Sequence, residues 1–571
     1  MRGKFEEGIA EIAGRYPAAR SAIVPALELG QKENGGFLTS DAIRAVGDHF
    51  GVPACRAFGV ATYYTLLNTR PVGKYHLQVD TNVPAFLAGA DEIVEHLHET
   101  LGIGPGETTP DGLFTLSCVE DLGAGGTCPV VQVNDIHFNN VTIRKVDEII
   151  ASLRAGLIPP PDTTAHWRSE CNILLKNRGS ERARDVAAYV DGGGYRALVK
   201  ALSAEPARIV EEVKASMLRG RGGAGFPTGI KWGFLPKNDP RPVYMICNAD
   251  EGEPGTFKDR QIMEYDPHLL IEGMAIAAHA VGAGKAFIYI RGEFGWIADI
   301  LERAVAQAAE AGHTRHVDIV VHRGAGSYVC GEETALIESI EGKRGLPRIK
   351  PPFPANVGLY GCPTVVNNVE TLANLPYIVE HGADAYRGIG RTNNFGPKLY
   401  CVSGHVARPG VYEYPLGTPL ATVLAAAGGA RGRLKGVIPG GLSVPILTAD
   451  EAQDLNLDFD GCLEAGTMLG SGGIIVLSDT VSIPRLALRT IRFYEHESCG
   501  QCTPCREGSH AISSLVEKLV SGRGKADEID LVLKMCRTIK GLTLCPMGDA
   551  FAVPMEAMVR KFRPEFDALV R

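Results

Sequence analysis

The sequence has no apolar run that meets the length of a membrane span. A stretch such as Ala275 to Ile290 is broken by His279 and Lys285, whereas a span needs about 20 predominantly apolar residues. Positive charge is not in surplus either: 58 Lys and Arg stand against 66 Asp and Glu, a net charge of −8. That balance argues against binding nucleic acid or an anionic membrane surface. Met1 to Glu7 lacks the apolar core of a secretory signal. These absences predict a cytoplasmic chain with no direct membrane insertion.

The 571 residues are 45% hydrophobic and 22% charged, ordinary globular usage in a chain too long for one core, so several domains are expected. Glycine is the one excess. The 68 glycines gather in a few loops and mark places where backbone must approach a neighbour closely.

Fourteen cysteines are present, and four have a pattern. Cys499, Cys502 and Cys505 follow C-x2-C-x2-C spacing, and Cys545 lies downstream in Thr543-Leu544-Cys545-Pro546. Three thiols so spaced converge on one centre, and Cys545 supplies the fourth ligand that a [4Fe–4S] cube requires. Zinc also accepts four cysteines, but its ribbons use two separated C-x2-C pairs, and this triplet is of the cluster type. A cluster makes electron transfer the first functional hypothesis.

The periodicities divide the chain. Strands are predicted at 73–79, 113–117 and 130–133 and helices at 85–101 and 143–153, a small α/β domain ended by the proline-rich hinge Leu157 to Thr164. From about 195 to 395 strands at 243–248, 285–290 and 317–322 alternate with helices at 268–281, 295–311 and 328–341, which implies a largely parallel sheet with ligands beyond the strand C-termini. Short strands and glycine turns come next, around Val402, Val411 and Ile474, and then long helical patterns at 485–497, 507–519 and 527–538 that are expected to hold the cluster.

Gly220-Arg-Gly222-Gly223-Ala-Gly225 satisfies G-x-G-x-x-G, but the preceding Glu211 to Leu218 is helical in pattern and Pro227 interrupts the helix that a dinucleotide fingerprint would need after it, so the motif is not of that kind. Its glycines still permit close approach to a planar or phosphorylated ligand. Arg221 and Lys231 are available for charge, and Phe226, Trp232 and Phe234 for stacking. Asp250, Glu251 and Glu253 at the end of a predicted strand suit hydrogen-bond donors of a ligand better than a phosphate. Gly324 to Thr334 passes from strand through glycines to helix; Phe353 stands among prolines, and Asn367-Asn368 offers amides.

Gly220–Lys231, Asn248–Asp259, Gly324–Leu336, Pro363–Leu372 and the Cys499 run, in that order, resemble the NADH-binding flavoprotein subunit of respiratory complex I, which also serves as the diaphorase of NAD-linked hydrogenases and formate dehydrogenases. The resemblance implies FMN held by Gly220, Gly222, Gly223, Lys231, Asn248, Asp250, Gly331, Asn367 and Asn368. It implies NADH stacked through Phe226, Phe234 and Phe353, with Glu251, Glu253, Tyr328, Glu332 and Glu333 nearby. No side chain is assigned an obligatory catalytic role, although Glu253 and Glu332 lie close. The N-terminal 155 residues resemble the thioredoxin-like [2Fe–2S] subunit that accompanies this flavoprotein, through Pro71 to His76, Pro105 to Leu116 and Pro129 to Asp135. The four places of that family's ligating cysteines here read Asp80, Ala85, Asp121 and Gly125. Two have no donor atom, so no [2Fe–2S] cluster is expected in residues 1–156, and Cys118 and Cys128 are expected to be packed thiols or a local pair.

The expectation is therefore an α/β multidomain chain: a thioredoxin-like domain at 1–156, a linker at 157–194, an FMN- and NADH-binding α/β domain at 195–397, a ubiquitin-like β-rich domain at 398–482 and a helical bundle with the [4Fe–4S] cluster at 483–571. Electrons would pass between NADH, FMN, the cluster and further iron–sulfur or catalytic subunits of a redox complex. No quinone, molybdenum or hydrogenase signature, and no further ferredoxin-like extension, appears in the chain. A non-catalytic scaffold is the rival reading.

Overall fold

A computed structural model describes residues 2–160, 165–180 and 182–570. The part of the predicted hinge at 161–164 lies outside the described residues. Contacts divide the chain into two compact units that do not follow chain order: 1–74, 171–251 and 258–397 form one, and 75–170, 252–257 and 398–571 form the other.

The first unit is built on a four-stranded sheet in the order Asp318–Arg323, Ala283–Ile290, Val243–Ala249, Thr364–Asn368, parallel throughout. Its strands are near-continuous apolar runs because helices such as Pro267–Val281 and Gly295–Glu310 belong to the same α/β alternation and both faces are buried. Most of the predicted boundaries match within two residues. The strand Thr364–Asn368 was not anticipated.

Residues 1–74 belong to this unit as well. They supply helices at Arg2–Ala13, Ile23–Glu33, Ser40–His49 and Ala54–Ala61, and their apolar side chains, including Ile9, Ile23 and Leu27, share a core with Tyr244, Phe287, Ile337 and Ile340. Buried polar contacts reinforce this. The Tyr16 hydroxyl is hydrogen-bonded to His322 Nδ1 at 2.9 Å, and the Tyr64 hydroxyl donates to Ser339 Oγ at 2.8 Å.

His322 is fully buried, and burial depresses its pKa to about 3. The unfolded chain takes up a proton near the ordinary histidine value while the folded chain stays neutral, so stability is lost as pH falls from about 6.5 toward 3. We expect this one residue to give the first unit a slope approaching about 1.4 kcal/mol per pH unit in that window. Unfolding midpoints of His322→Gln measured across it should fall less steeply than those of the parent.

The second unit holds two sheets and a bundle. A four-stranded sheet runs in the order Phe114–Val119, Tyr75–Asp80, Val131–Val133, Ile136–Phe138, with the first pair parallel and the others antiparallel. A six-stranded sheet contains Pro397–Gly404, Gly410–Pro415, Leu434–Ile438 and Gly473–Ser478, and its edge strand His166–Ser169 comes from the stretch expected to be a linker. Helices Ile483–Glu497, Thr503–Val520, Ala526–Ile539 and Met547–Lys561 complete the unit. The first of them buries Ile483, Leu486, Ala487, Thr490, Ile491 and Tyr494, the helical spacing of a core-facing stripe. None of the described helices is long and apolar enough to cross a membrane.

Candidate functional site

In the parallel sheet the chain winds outward from Val243–Ala249 through Ala283–Ile290 to Asp318–Arg323, then returns to place Thr364–Asn368 on the other side of its starting strand. The order reverses between Val243–Ala249 and Thr364–Asn368, and that switch point opens a crevice beyond the strand C-termini. Asn248 ends one of the two strands, and Asn367 and Asn368 end the other.

A cavity of about 750 Å³ lies there, within the range of sites for small molecules and cofactors. It brings together Gly220, Gly222, Gly223, Lys231, Asn248, Gly331, Asn367 and Asn368, eight of the nine residues expected for FMN. Asp250 does not line it; its backbone N–H donates to Asn248 Oδ1 at 3.1 Å. Of the nucleotide set, Phe226, Phe234, Phe353 and Glu333 line the cavity. All three phenyl rings are about half exposed, and those of Phe226 and Phe234 lie 5.9 Å apart, an open aromatic mouth for a planar ring.

The polar end of the cavity is oriented by contacts behind it. Asn367 Oδ1 accepts from Trp232 Nε1 at 2.9 Å, so its amide nitrogen remains to donate elsewhere. Asn368 accepts from the Glu370 N–H at 3.0 Å and donates to Asp259 Oδ2 at 2.6 Å. Asp259 and Glu370 in turn hold the buried ammonium of Lys258, at 2.7 and 2.8 Å. Lys231 Nζ reaches Glu333 at 3.0 Å and the Val366 carbonyl at 2.9 Å. Burial raises the Glu333 pKa, but Lys231 and Lys350 outweigh it and hold the carboxyl below its usual value.

Other expected residues stand elsewhere. Glu251 is buried and accepts the backbone N–H groups of Lys258, Asp259 and Arg260 at 2.9, 2.8 and 3.1 Å. Burial, then the charge of Asp259, pushes its pKa up to about 7. Glu332 caps the helix Glu333–Ile340 through the N–H groups of Thr334 and Ala335 and pairs with Lys350 at 2.8 Å. Tyr328 lies in the turn before that helix, outside the cavity lining. Glu253 belongs to the second unit, where it accepts from the Ser443 N–H at 2.7 Å. Arg221 is not available to a ligand as expected: its guanidinium donates to the Tyr386 hydroxyl and the Phe395 carbonyl. Sequence reasoning missed Lys350, Asn356 and Thr371 in the lining; the cation beside the rigid Pro351-Pro352-Phe353 was the available signal.

The glycine cradle fits a flavin nucleotide. A methyl group at Gly222 would stand 3.1 Å from the Asn368 Cβ, and Gly223 has φ +135°, a conformation that side chains rarely adopt. Gly222→Ala is expected to displace Asn368 and weaken FMN binding roughly tenfold or more, read by equilibrium dialysis, with the melting of the apoprotein nearly unchanged.

In the second unit Cys502 immediately precedes the helix Thr503–Val520, Cys505 lies buried in its first turn, and Cys545 stands just before Met547–Lys561. Thiolates at helix N-termini are favoured electrostatically. Burial, and the neighbouring Cys502 and Cys499 thiols against the opposing Ser498 hydrogen bond, push the Cys505 pKa up to about 11. Among the described residues no three His, Cys, Asp or Glu side chains crowd closely enough for a single ion. The four soft donors fit a cube, which carries an iron at each ligating corner. Cys536 is buried in the helix Ala526–Ile539, where Glu556 and Arg537 are its charged neighbours.

The places of the absent [2Fe–2S] ligands are filled otherwise. Asn82 Nδ2 donates to Asp80 Oδ2 at 3.1 Å and Asp121 Oδ1 at 2.6 Å, and all three side chains are buried. Any Cβ at Gly125 or Gly126 would stand 3.0 or 2.7 Å from the Phe257 ring. Cys128 is partly buried near Asp80 and Asp121, whereas the exposed Cys118 has Arg489, Glu120 and Asp91 as its charged neighbours. These residues do not fit a thiolate-held [2Fe–2S] centre.

Comparison with known proteins gives four family matches in chain order: a thioredoxin-like [2Fe–2S] ferredoxin over residues 9–154, the Nuo51 FMN-binding domain over 213–377, an SLBB domain over 399–445 and the NADH-ubiquinone oxidoreductase-F iron–sulfur binding region over 485–569. The second of two NADH-quinone oxidoreductase F subunits of Rhizobium meliloti (strain 1021) is 50% identical over 408 residues, 69% of this chain and 97% of that protein. The NADH-quinone oxidoreductase F subunit of Rickettsia bellii (strain OSU 85-389) is 46% identical over 410 residues, 70% of this chain and 98% of that protein. Among solved structures, an NAD+-reducing [NiFe]-hydrogenase chain in the air-oxidised state superposes with a TM-score of 0.86 at 32% identity, covering 96% of this chain and 94% of its own.

Proposed function

Because this chain belongs to the family of NADH-quinone oxidoreductase F subunits, we propose that it is the nicotinamide-oxidising flavoprotein component of a larger redox complex, working on NADH or in reverse on NAD+. The observation that carries the reading is the cavity at the sheet's switch point, where eight residues expected for FMN meet three half-exposed phenyl rings. FMN, when bound, exchanges a hydride with the nicotinamide and single electrons with the cluster.

The residues of the chain supply binding and orientation. Gly220, Gly222 and Gly223 admit the flavin close to the backbone, and Asn248, Asn367, Asn368 and Lys231 present polar groups to it. Phe226, Phe234 and Phe353 offer stacking faces to the nicotinamide nucleotide, and Glu333 with Lys350 forms the charged rim. Cys499, Cys502, Cys505 and Cys545 hold the [4Fe–4S] cluster, and Cys536 does not. The 1–156 segment carries no cluster and acts in docking and support. The match to the hydrogenase chain spans 96% of this chain, against 69% for the Rhizobium meliloti relative, and favours an assembly with the same fused architecture. The composition and the absence of membrane-length helices among the described residues support a cytoplasmic location.

The purified protein, loaded with FMN and iron under anaerobic conditions, tests this directly. Flavin absorbance should bleach rapidly on adding NADH, with about four irons per chain and no [2Fe–2S] paramagnetic signal after reduction. A protein that binds FMN but is not reduced by NADH returns the scaffold reading.

A further inference from the structure

The glycine loop contains one side chain to which the proposed site gives no task. Arg221 stands between Gly220 and Gly222, both of which line the cavity. Its backbone N–H donates to Oγ1 of Thr371, another lining residue, at 2.8 Å. The side chain itself is absent from the lining and entirely buried. Nη2 donates to the Tyr386 hydroxyl at 3.1 Å and to the Phe395 carbonyl at 2.7 Å. Nε and Nη1 have no hydrogen-bond partner, and among the described residues Arg221 makes no ion pair. Glu370, which like Arg221 acts on the charge of Tyr386, is already paired with Lys258 at 2.8 Å.

A guanidinium remains charged in a protein interior, and a buried charge without a counter-charge is strongly unfavourable. A fold that keeps one beneath a ligand loop, one residue from the cavity on either side, has its compensation in the ligand. FMN brings a phosphate, and its ring gains negative charge on two-electron reduction, so a cation buried in the loop that would hold it favours the reduced form.

We infer that Arg221 is a positioning residue that also tunes the bound flavin: it ties the glycine loop to Tyr386 and Phe395, and its unpaired charge favours the two-electron-reduced form of FMN. The inference rests on the FMN assignment made above. A brace without electrostatic effect is the competing account, because the same two hydrogen bonds hold the loop whether or not their donor is charged.

Potentiometric titration of the flavin in the FMN-loaded full chain separates the two. Arg221→Gln removes the charge. Tyr386→Glu keeps the arginine and pairs it with a carboxylate, and it decides the matter if the first variant does not fold. Both are expected to shift the equilibrium about tenfold toward oxidised FMN, which is about 30 mV for a two-electron couple. Arg221→Lys, which keeps the charge, and Tyr386→Phe, which removes one hydrogen bond only, are expected to stay within about twofold of the parent. The inference is overturned if Arg221→Gln and Tyr386→Glu both titrate like the parent, or if Tyr386→Phe shifts as far as they do. If the parent chain binds no FMN, the assignment of the cavity falls as well, and that outcome is distinct from a bound flavin with an unmoved potential.

Discussion

Cys502→Ala is expected to lose the [4Fe–4S] centre, about four irons per chain, while reduction of the bound flavin by NADH survives. A thiolate carries charge and softness that a methyl group cannot replace. The loss stays local because the two sites belong to different compact units: Cys502 immediately precedes a helix of the bundle, whereas every cavity residue belongs to the unit of the parallel sheet. Electron delivery to a protein acceptor should therefore fall to background while NADH still bleaches the flavin. Unchanged iron content and cluster spectra in this variant would show that Cys502 is not a ligand.

NADH is expected to be preferred to NADPH by roughly tenfold to a hundredfold in kcat/KM with an artificial acceptor, equivalent to about 1.4–2.7 kcal/mol. The two lysines at the cavity, Lys231 and Lys350, are engaged by carboxylates: Lys231 by Glu333, and Lys350 by Glu332 at 2.8 Å and Glu333 at 3.0 Å. An added 2′-phosphate would have to compete with those carboxylates for its cations and would bring its own charge beside them. Glu251 and Glu253, counted on sequence grounds toward the same preference, do not line the cavity: the first accepts backbone N–H groups of 258–260 and the second the Ser443 N–H. Equal kcat/KM values for the two nucleotides would refute the preference.

Much of the site was legible because its chemistry is local. The glycines at 220, 222 and 223, Asn248 at the end of a predicted strand and the C-x2-C-x2-C run depend on residue type and short spacing, and most apolar strands of the parallel sheet announce themselves by burial on both faces, whereas the strand that ends in Asn367-Asn368 was not foreseen. The features that escaped depend on contacts between distant segments. The carboxylate of Glu251 turns inward because three N–H groups at 258–260 need an acceptor. Arg221 turns away from the cavity toward Tyr386 and Phe395, more than 150 residues downstream in sequence. Residues 1–74 read as part of a small α/β domain, since nothing in their own periodicity says that their apolar faces match the sheet of the flavin unit.

That last arrangement has a consequence for biosynthesis. The helices of residues 1–74 leave the ribosome before the parallel sheet, and the part of their core that the sheet supplies begins at Tyr244, about 170 residues later. At ordinary elongation rates the core that they share with the sheet stays incomplete for roughly ten to thirty seconds. During that interval the sheet that begins at Tyr75 can already pair its own strands, whereas the helices of 1–74 still lack the sheet on which they come to rest, so the order of synthesis delays the first unit more than the second.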